Sequence, residues 1–142
     1  MEVMAVVMIV SVLSGVGIGK SRRMTERARV VRAIEELRRV SSELTLQDTL
    51  PSSLAGIDRG GLLDPWGYPY RYLPFPPPAR DGSRLHPQGA RKDRFLVPIN
   101  SRFDLYSVGR DGLTTPPLTA ANSRDDVVVA NDGGYIGLAS GY

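Results

Sequence analysis

The sequence predicts an α+β protein: one long N-terminal α-helix packed on a small antiparallel β-sheet, closed by an irregular C-terminal loop. Three observations predict it. Residues Val3 to Gly19 form an uncharged, mostly apolar run. Met24, Ala28, Val31, Ile34, Leu37, Val40 and Leu44 then recur at steps of three and four, the spacing of one helix face. Beyond Pro51 the period changes to two, in Tyr68–Leu73 and again in Arg102–Val108.

The apolar run sets the first element. At 1.5 Å per residue, about 17 residues span roughly 26 Å, close to the ~30 Å of a bilayer's hydrocarbon core. It is long for the apolar core of a signal peptide and lacks the basic flank and small-residue cleavage site of one. The run is therefore read as a transmembrane segment. Its end, S-G-V-G-I-G-K-S from Ser14 to Ser21, imitates a phosphate-binding loop. The first glycine of such a loop would have to occupy position 14, which is Ser14, and Gly15 leaves the loop one residue short. A nucleotide site is excluded on that spacing. Glu2 stands at the head of the run, where a carboxylate in lipid is costly. Two readings are open for it: a headgroup-level acid favoured by the helix dipole, or a specific partner for a positive group on another chain.

Charge continues the helix. The net charge of +3 conceals a basic cluster of Lys20, Arg22, Arg23, Arg27, Arg29, Arg32, Arg38 and Arg39, opposed by Glu26, Glu35 and Glu36. No aromatic residue interleaves with it, so a solvated helix surface is expected rather than a nucleic-acid site. Taken alone, a basic flank on this side of a span would hold the rest of the chain in the cytoplasm. The chain has no cysteine, which removes disulfides and thiolate metal sites. The parts are therefore 1–19, the transmembrane half of the helix; 20–47, its amphipathic half; and 48–142, a globular domain.

Within that domain, Leu54 and Ile57 are expected core contacts in a turn-rich stretch. Asp64-Pro65-Trp66-Gly67 is a turn signal: an acid to cap, a proline with preset φ, and a glycine. Tyr68, Tyr70 and Tyr72 follow in alternation, and Pro69 puts that strand at an edge or a strand start. Pro74 to Arg94 is proline-rich, basic and without period, and reads as a long surface loop. The single histidine, His86, falls in it with no nucleophile or acid at a recognisable spacing, and is expected to face solvent. A short apolar run from Phe95 to Ile99, the strand at Arg102–Val108, a Gly109–Gly112 turn and Val127–Val129 complete the pattern.

Asp111, Asp125 and Asp126 are the acids of the last segment. Brought together they would repel unless a cation joined them, and hard oxygens on irregular loops suit calcium. The spacing is not that of an EF-hand, and D-G and D-D are also ordinary surface-turn signals. Read from residue types alone, surface turns are the expectation.

The order of parts resembles the type IV pilin-like pseudopilins, most closely the major (G-type) pseudopilin of type II secretion systems. The residues that carry the resemblance are Glu2 before the apolar helix, D-P-W-G at Asp64–Gly67, F-D-L-Y-S-V-G-R-D-G at Phe103–Gly112, and D-D-V-V-V at Asp125–Val129. It covers most of the chain except Pro74–Ser101, which looks longer than the family's connection. The family's short basic leader, ending in glycine before an aromatic residue and T-L-I-E, has no counterpart ahead of Glu2, so the translated start is expected upstream of Met1.

The resemblance implies a pilin-like fold, a single-pass inner-membrane subunit and a periplasmic globular domain. The restored leader would settle the orientation conflict. It implies assembly into a periplasmic pseudopilus with copies of itself and other pseudopilins, on an inner-membrane secretion platform, after processing by prepilin peptidase. Glu2 would then neutralise the N-terminal amine of an adjacent subunit. Calcium would be held by the side chains of Asp111, Asp125 and Asp126, the carbonyls of Val108 and Leu113, and Ser123. Arg110, Arg124, Pro116 and Pro117 depart from the family's pattern there. No catalytic residue is expected. The alternatives are a minor pseudopilin or type IV pilin subunit and, of a different class, a membrane-anchored periplasmic hydrolase.

Overall fold

The structure is a computed structural model. It describes the backbone of residues 2–142 and the side chains of Ile9 and residues 19–142. The Glu2 carboxylate and the side chains of the expected membrane span, Ile9 apart, lie outside the described residues. Among the described residues no helix is long and apolar enough to cross a membrane.

One helix packs on a four-stranded antiparallel sheet. Helix α1 runs Glu2–Thr45, and the strands are β1 (Arg71–Pro74), β2 (Phe103–Ser107), β3 (Val127–Ala130) and β4 (Tyr135–Leu138). Their order across the sheet is that of the sequence, β1-β2-β3-β4. The stretch from Lys20 to Thr45 has neither glycine nor proline and is rich in Arg and Glu, both good helix formers. The helix stops where Arg102 caps it: its guanidinium donates to the carbonyls of Thr45 (3.1 Å) and Gln47 (2.8 Å), which no helical N–H reaches.

The buried face of α1 is Ala33, Leu37, Val40 and Leu44, at steps of four, three and four. They pack with Phe103, Leu105, Val127 and Val129 from the central strands, and Val30 and Ile34 border the cluster. At about 1.5–3 kcal/mol for each fully buried aliphatic side chain, this contact dominates the attachment of helix to sheet. The expected stripe was correct from Ile34 onward and wrong before it, since Met24 is 61 % exposed, Val31 54 % exposed, and Ala28 exposed as well. The sheet approaches the helix at small Ala33, which lies two residues and about 200° round the helix from exposed Val31.

Leu54 is buried in the same core and Ile57 packs against it, as expected. The aromatic strand starts later than its alternation suggested. Leu63 and Pro69 make an isolated bridge, and continuous pairing begins at Arg71 opposite Tyr106. β1 lies at the sheet edge, where a preceding proline costs no ladder bond.

The sheet's second face is also covered. Val128 and Ala130 pack there with Ile99, Leu118 and Ala139, with Tyr106 and Tyr135 alongside. Burial on both faces explains why β3 reads as unbroken valine rather than an alternation. It also corrects the reading of the long loop as wholly superficial. Residues 78–86 are exposed, but Phe75, Ala90 and Arg91 of the same loop are buried.

Candidate functional site

The D-P-W-G turn folds around its acid. Asp64 Oδ1 accepts the N–H groups of Trp66 (3.0 Å) and Tyr68 (2.9 Å), and Gly67 N–H returns to the Asp64 carbonyl (2.9 Å). The turn is docked on α1 by Trp66, whose indole donates to Glu26 Oε1 at 3.0 Å. Two more acids of α1 serve in the same way. Glu36 accepts the Tyr70 hydroxyl (2.7 Å), and Glu43 accepts a two-pronged contact from Arg59. Burial, with Glu36 beside it, pushes the Tyr70 phenol far above its ordinary range.

The second segment, Ser107–Leu113, meets the first. Ser107 donates its hydroxyl to Asp64 Oδ2 and accepts Gly109 N–H at 3.1 Å, with Ser107 and Asp64 both buried. Both glycines of S-V-G-R-D-G are required by their surroundings. Gly109 (φ +68°) lies against the Asp125 backbone carbonyl, and Gly112 (φ +70°) against the Tyr68 ring, so a β-carbon at either would overlap its neighbour.

The residues expected at a metal divide into two groups. Asp111 and Asp125 come together on the outer side: Asp111 N–H donates to Asp125 Oδ2 at 3.0 Å, and Asp111 Oδ1 accepts Leu113 N–H at 2.8 Å. Asp126 turns inward and is fully buried. Its Oδ2 accepts Arg91 Nη2 and the Thr114 hydroxyl, each at 2.6 Å. Ser123 is buried with its hydroxyl donated to the Thr115 carbonyl (2.7 Å), while Val108 lies in the interior and Leu113 is half exposed. Among the described residues, no group of three or more His, Cys, Asp or Glu side chains is placed to hold a metal ion.

Burial lifts the Asp126 carboxyl to about 6, opposed by the Thr114 hydroxyl and by Arg91. Burial likewise raises the neighbouring Asp104 against its bonds from Arg91 N–H (2.6 Å) and Asn100 (2.9 Å). These shifts describe acids taken out of water and given specific donors in exchange.

Arg91 was not singled out from the sequence. It sits in R-K-D-R, a charge run inside a proline-rich stretch, and such runs are ordinarily solvated. One signal pointed to it. Alternation in F-D-L-Y-S puts Asp104 and Tyr106 on the face away from the helix, and a strand acid facing an interior needs a cation or donors. His86 is exposed, as expected, on the wall of an open groove of about 790 Å³ bounded by Pro74, Pro76–Pro78 and Pro98.

Comparison with protein-family models, with curated proteins and with solved structures finds no match.

Proposed function

We propose that this chain is a structural subunit of a type II secretion pseudopilus, a G-type pseudopilin that polymerises through its N-terminal helix. What supports the reading is the interlock of its two most specific segments. The D-P-W-G turn and the S-V-G-R-D-G loop, 43 residues apart, meet through Asp64 and Ser107 and through Tyr68 and Gly112. Motif residues that hold one another in place, on a helix-backed sheet, are what a pilin-like head requires.

In this reading the apolar head of α1 sits in the inner membrane, and the globular domain lies in the periplasm. Met24, Ala28 and Val31, which the sheet leaves uncovered, give the stem a surface for neighbouring stems. Glu2 would face the N-terminal ammonium of an adjacent subunit. In a medium of low dielectric that pair attracts strongly, and either member alone is penalised, so correct register is favoured. Calcium at Asp111, Asp125 and Asp126 is one account of how the C-terminal loop is held, and Arg91 on Asp126 is another.

The test is complementation. The chain, preceded by a processable leader, is expressed in a type II-secreting bacterium lacking its own major pseudopilin. Sheared pseudopili containing the chain are expected, together with their loss in Glu2→Ala. Processed, membrane-inserted protein that never enters a filament would refute the subunit assignment.

A further inference from the structure

Arg91 is a buried cation whose two terminal nitrogens hold three oxygens, while its Nε is buried without a partner among the described residues. Its side chain is 2 % exposed and that of its partner Asp126 is 0 % exposed. Nη2 reaches Asp126 Oδ2 at 2.6 Å, while Nη1 reaches the Thr114 hydroxyl at 2.6 Å and the Thr115 carbonyl at 2.8 Å. The guanidinium lies 4.3 Å from the centre of the Tyr106 ring, which adds a cation–π contact in a dry site.

The backbone around Arg91 is fixed as firmly as its head. Arg91 N–H donates to Asp104 Oδ2, and its carbonyl accepts Ile99 N–H at 3.1 Å. The next residue, Lys92, bonds the opposing strand of chain through Pro116 O (3.1 Å) and Leu118 N–H (2.9 Å). The long loop thus delivers a permanent positive charge to a chosen point under the acid-rich C-terminal segment.

A carboxylate, a hydroxyl and a backbone carbonyl are the oxygen types that a hard divalent ion gathers, six to eight of them at about 2.3–2.6 Å. Here a guanidinium has them. Asp126 Oδ2 cannot serve Arg91 and a divalent ion together without placing two positive charges in contact in a low-dielectric interior. One oxygen of each remaining acid is tied to a main-chain donor, Asp111 Oδ1 to Leu113 N–H and Asp125 Oδ2 to Asp111 N–H, and Ser123 gives its hydroxyl to the Thr115 carbonyl. Asp126 Oδ1 is buried without a partner among the described residues, but an ion reaching it would meet the guanidinium on Oδ2, so with Arg91 seated a divalent ion does not fit beside Asp126.

We infer that Arg91 is the resident cation of the C-terminal loop, holding Asp126, Thr114 and Thr115 in place of a metal ion, so that the loop keeps its structure without calcium. This does not depend on the filament reading.

The test uses the full chain in mild detergent and follows thermal unfolding by near-UV circular dichroism. In millimolar calcium and in excess chelator the unfolding temperature is expected to be the same. A rise of about 5 °C or more with calcium would overturn the inference. Arg91→Gln strands a buried carboxylate and is expected to lower the unfolding temperature by about 10 °C or more, or to prevent folding. An Arg91→Gln variant as stable as the parent would also overturn it. The double variant Arg91→Gln/Asp126→Asn, which removes both charges, is expected to recover at least half of that loss. A double variant no better than the single one would show Arg91 filling space rather than balancing charge.

Discussion

Ser107 and Asp64 share a buried hydrogen bond across 43 residues of sequence, and through it the end of β2 is fastened to the turn that precedes β1. The bond joins a hydroxyl and a carboxyl that are both buried, which places it among the stronger kind. Ser107→Ala would strand both Asp64 Oδ2 and Gly109 N–H. The expected cost is about 1.5–3 kcal/mol, seen as a lower urea midpoint with an unchanged slope. A midpoint equal to that of the parent would mean that the bond contributes nothing net.

Two glycines of that loop, compared with Gly82 of the long proline-rich loop, make a graded prediction. Gly82 has φ +79° with open space around it, so Gly82→Ala should cost only the left-handed backbone penalty, about 1 kcal/mol. Gly112→Ala adds an overlap with the Tyr68 ring, which can shift. Gly109→Ala collides with the Asp125 backbone, which cannot, and should cost about 3 kcal/mol or more. Chemical denaturation of the three variants should rank them in that order. An equal cost at all three positions would remove close packing as the reason for the motif.

Helix α1 offers a test of which face it buries. Leu37→Ala should cost about 2–5 kcal/mol, because Leu37 is enclosed between helix and sheet. Val31→Ala, on the exposed side, should change the stability of the dispersed subunit by no more than about 0.5 kcal/mol. Comparable losses at both positions would place Val31 in the core after all.

The pair of Glu43 and Arg59 predicts a pH dependence. Hydrogen bonds from Arg59, at 3.1 and 2.7 Å, hold the Glu43 carboxyl below its ordinary value of 4.5, with burial opposing weakly. The folded protein therefore binds this proton less readily than the unfolded chain does. The pair's contribution is present above pH 4.5 and fades as the pH falls through the depressed value. Both side chains are substantially exposed, so the effect is small. Glu43→Gln should unfold slightly below the parent at neutral pH, and the two melting curves should converge in acid. A gap that stays constant into strong acid would rule the pair out as its source.

Much of this architecture was legible in the residues. Helical spacing in Ile34–Leu44, alternation in Phe103–Ser107 and the turn chemistry of Asp64–Gly67 are local signals, and each appears in the structure where it was expected. What escaped was set by contacts distant in sequence. β4 follows a left-handed turn at Asn131–Gly133 and carries Gly137 in its middle, so its four residues give almost no alternation. The register of α1 before Ile34 depended on where the sheet would sit, which Ala33 decides and no single-residue propensity reveals. At the candidate site, Asp111, Asp125 and Asp126 could be named from sequence, though residue types alone read as surface turns and only the resemblance grouped the three. That Asp126 would turn away from them toward Arg91, 35 residues earlier, could not. A solvated arginine and a buried one are spelled alike.

Glu26, Glu36 and Glu43 lie along one rod, and each is held by a different part of the head, through Trp66, Tyr70 and Arg59, while Arg102 grips the rod's end. From the first of these acids to the last is about 26 Å of helix. Four contacts spaced over that length, together with the apolar face between them, tie the sheet to the helix at separate points. A load along this stretch of the rod would be shared among them rather than borne by one.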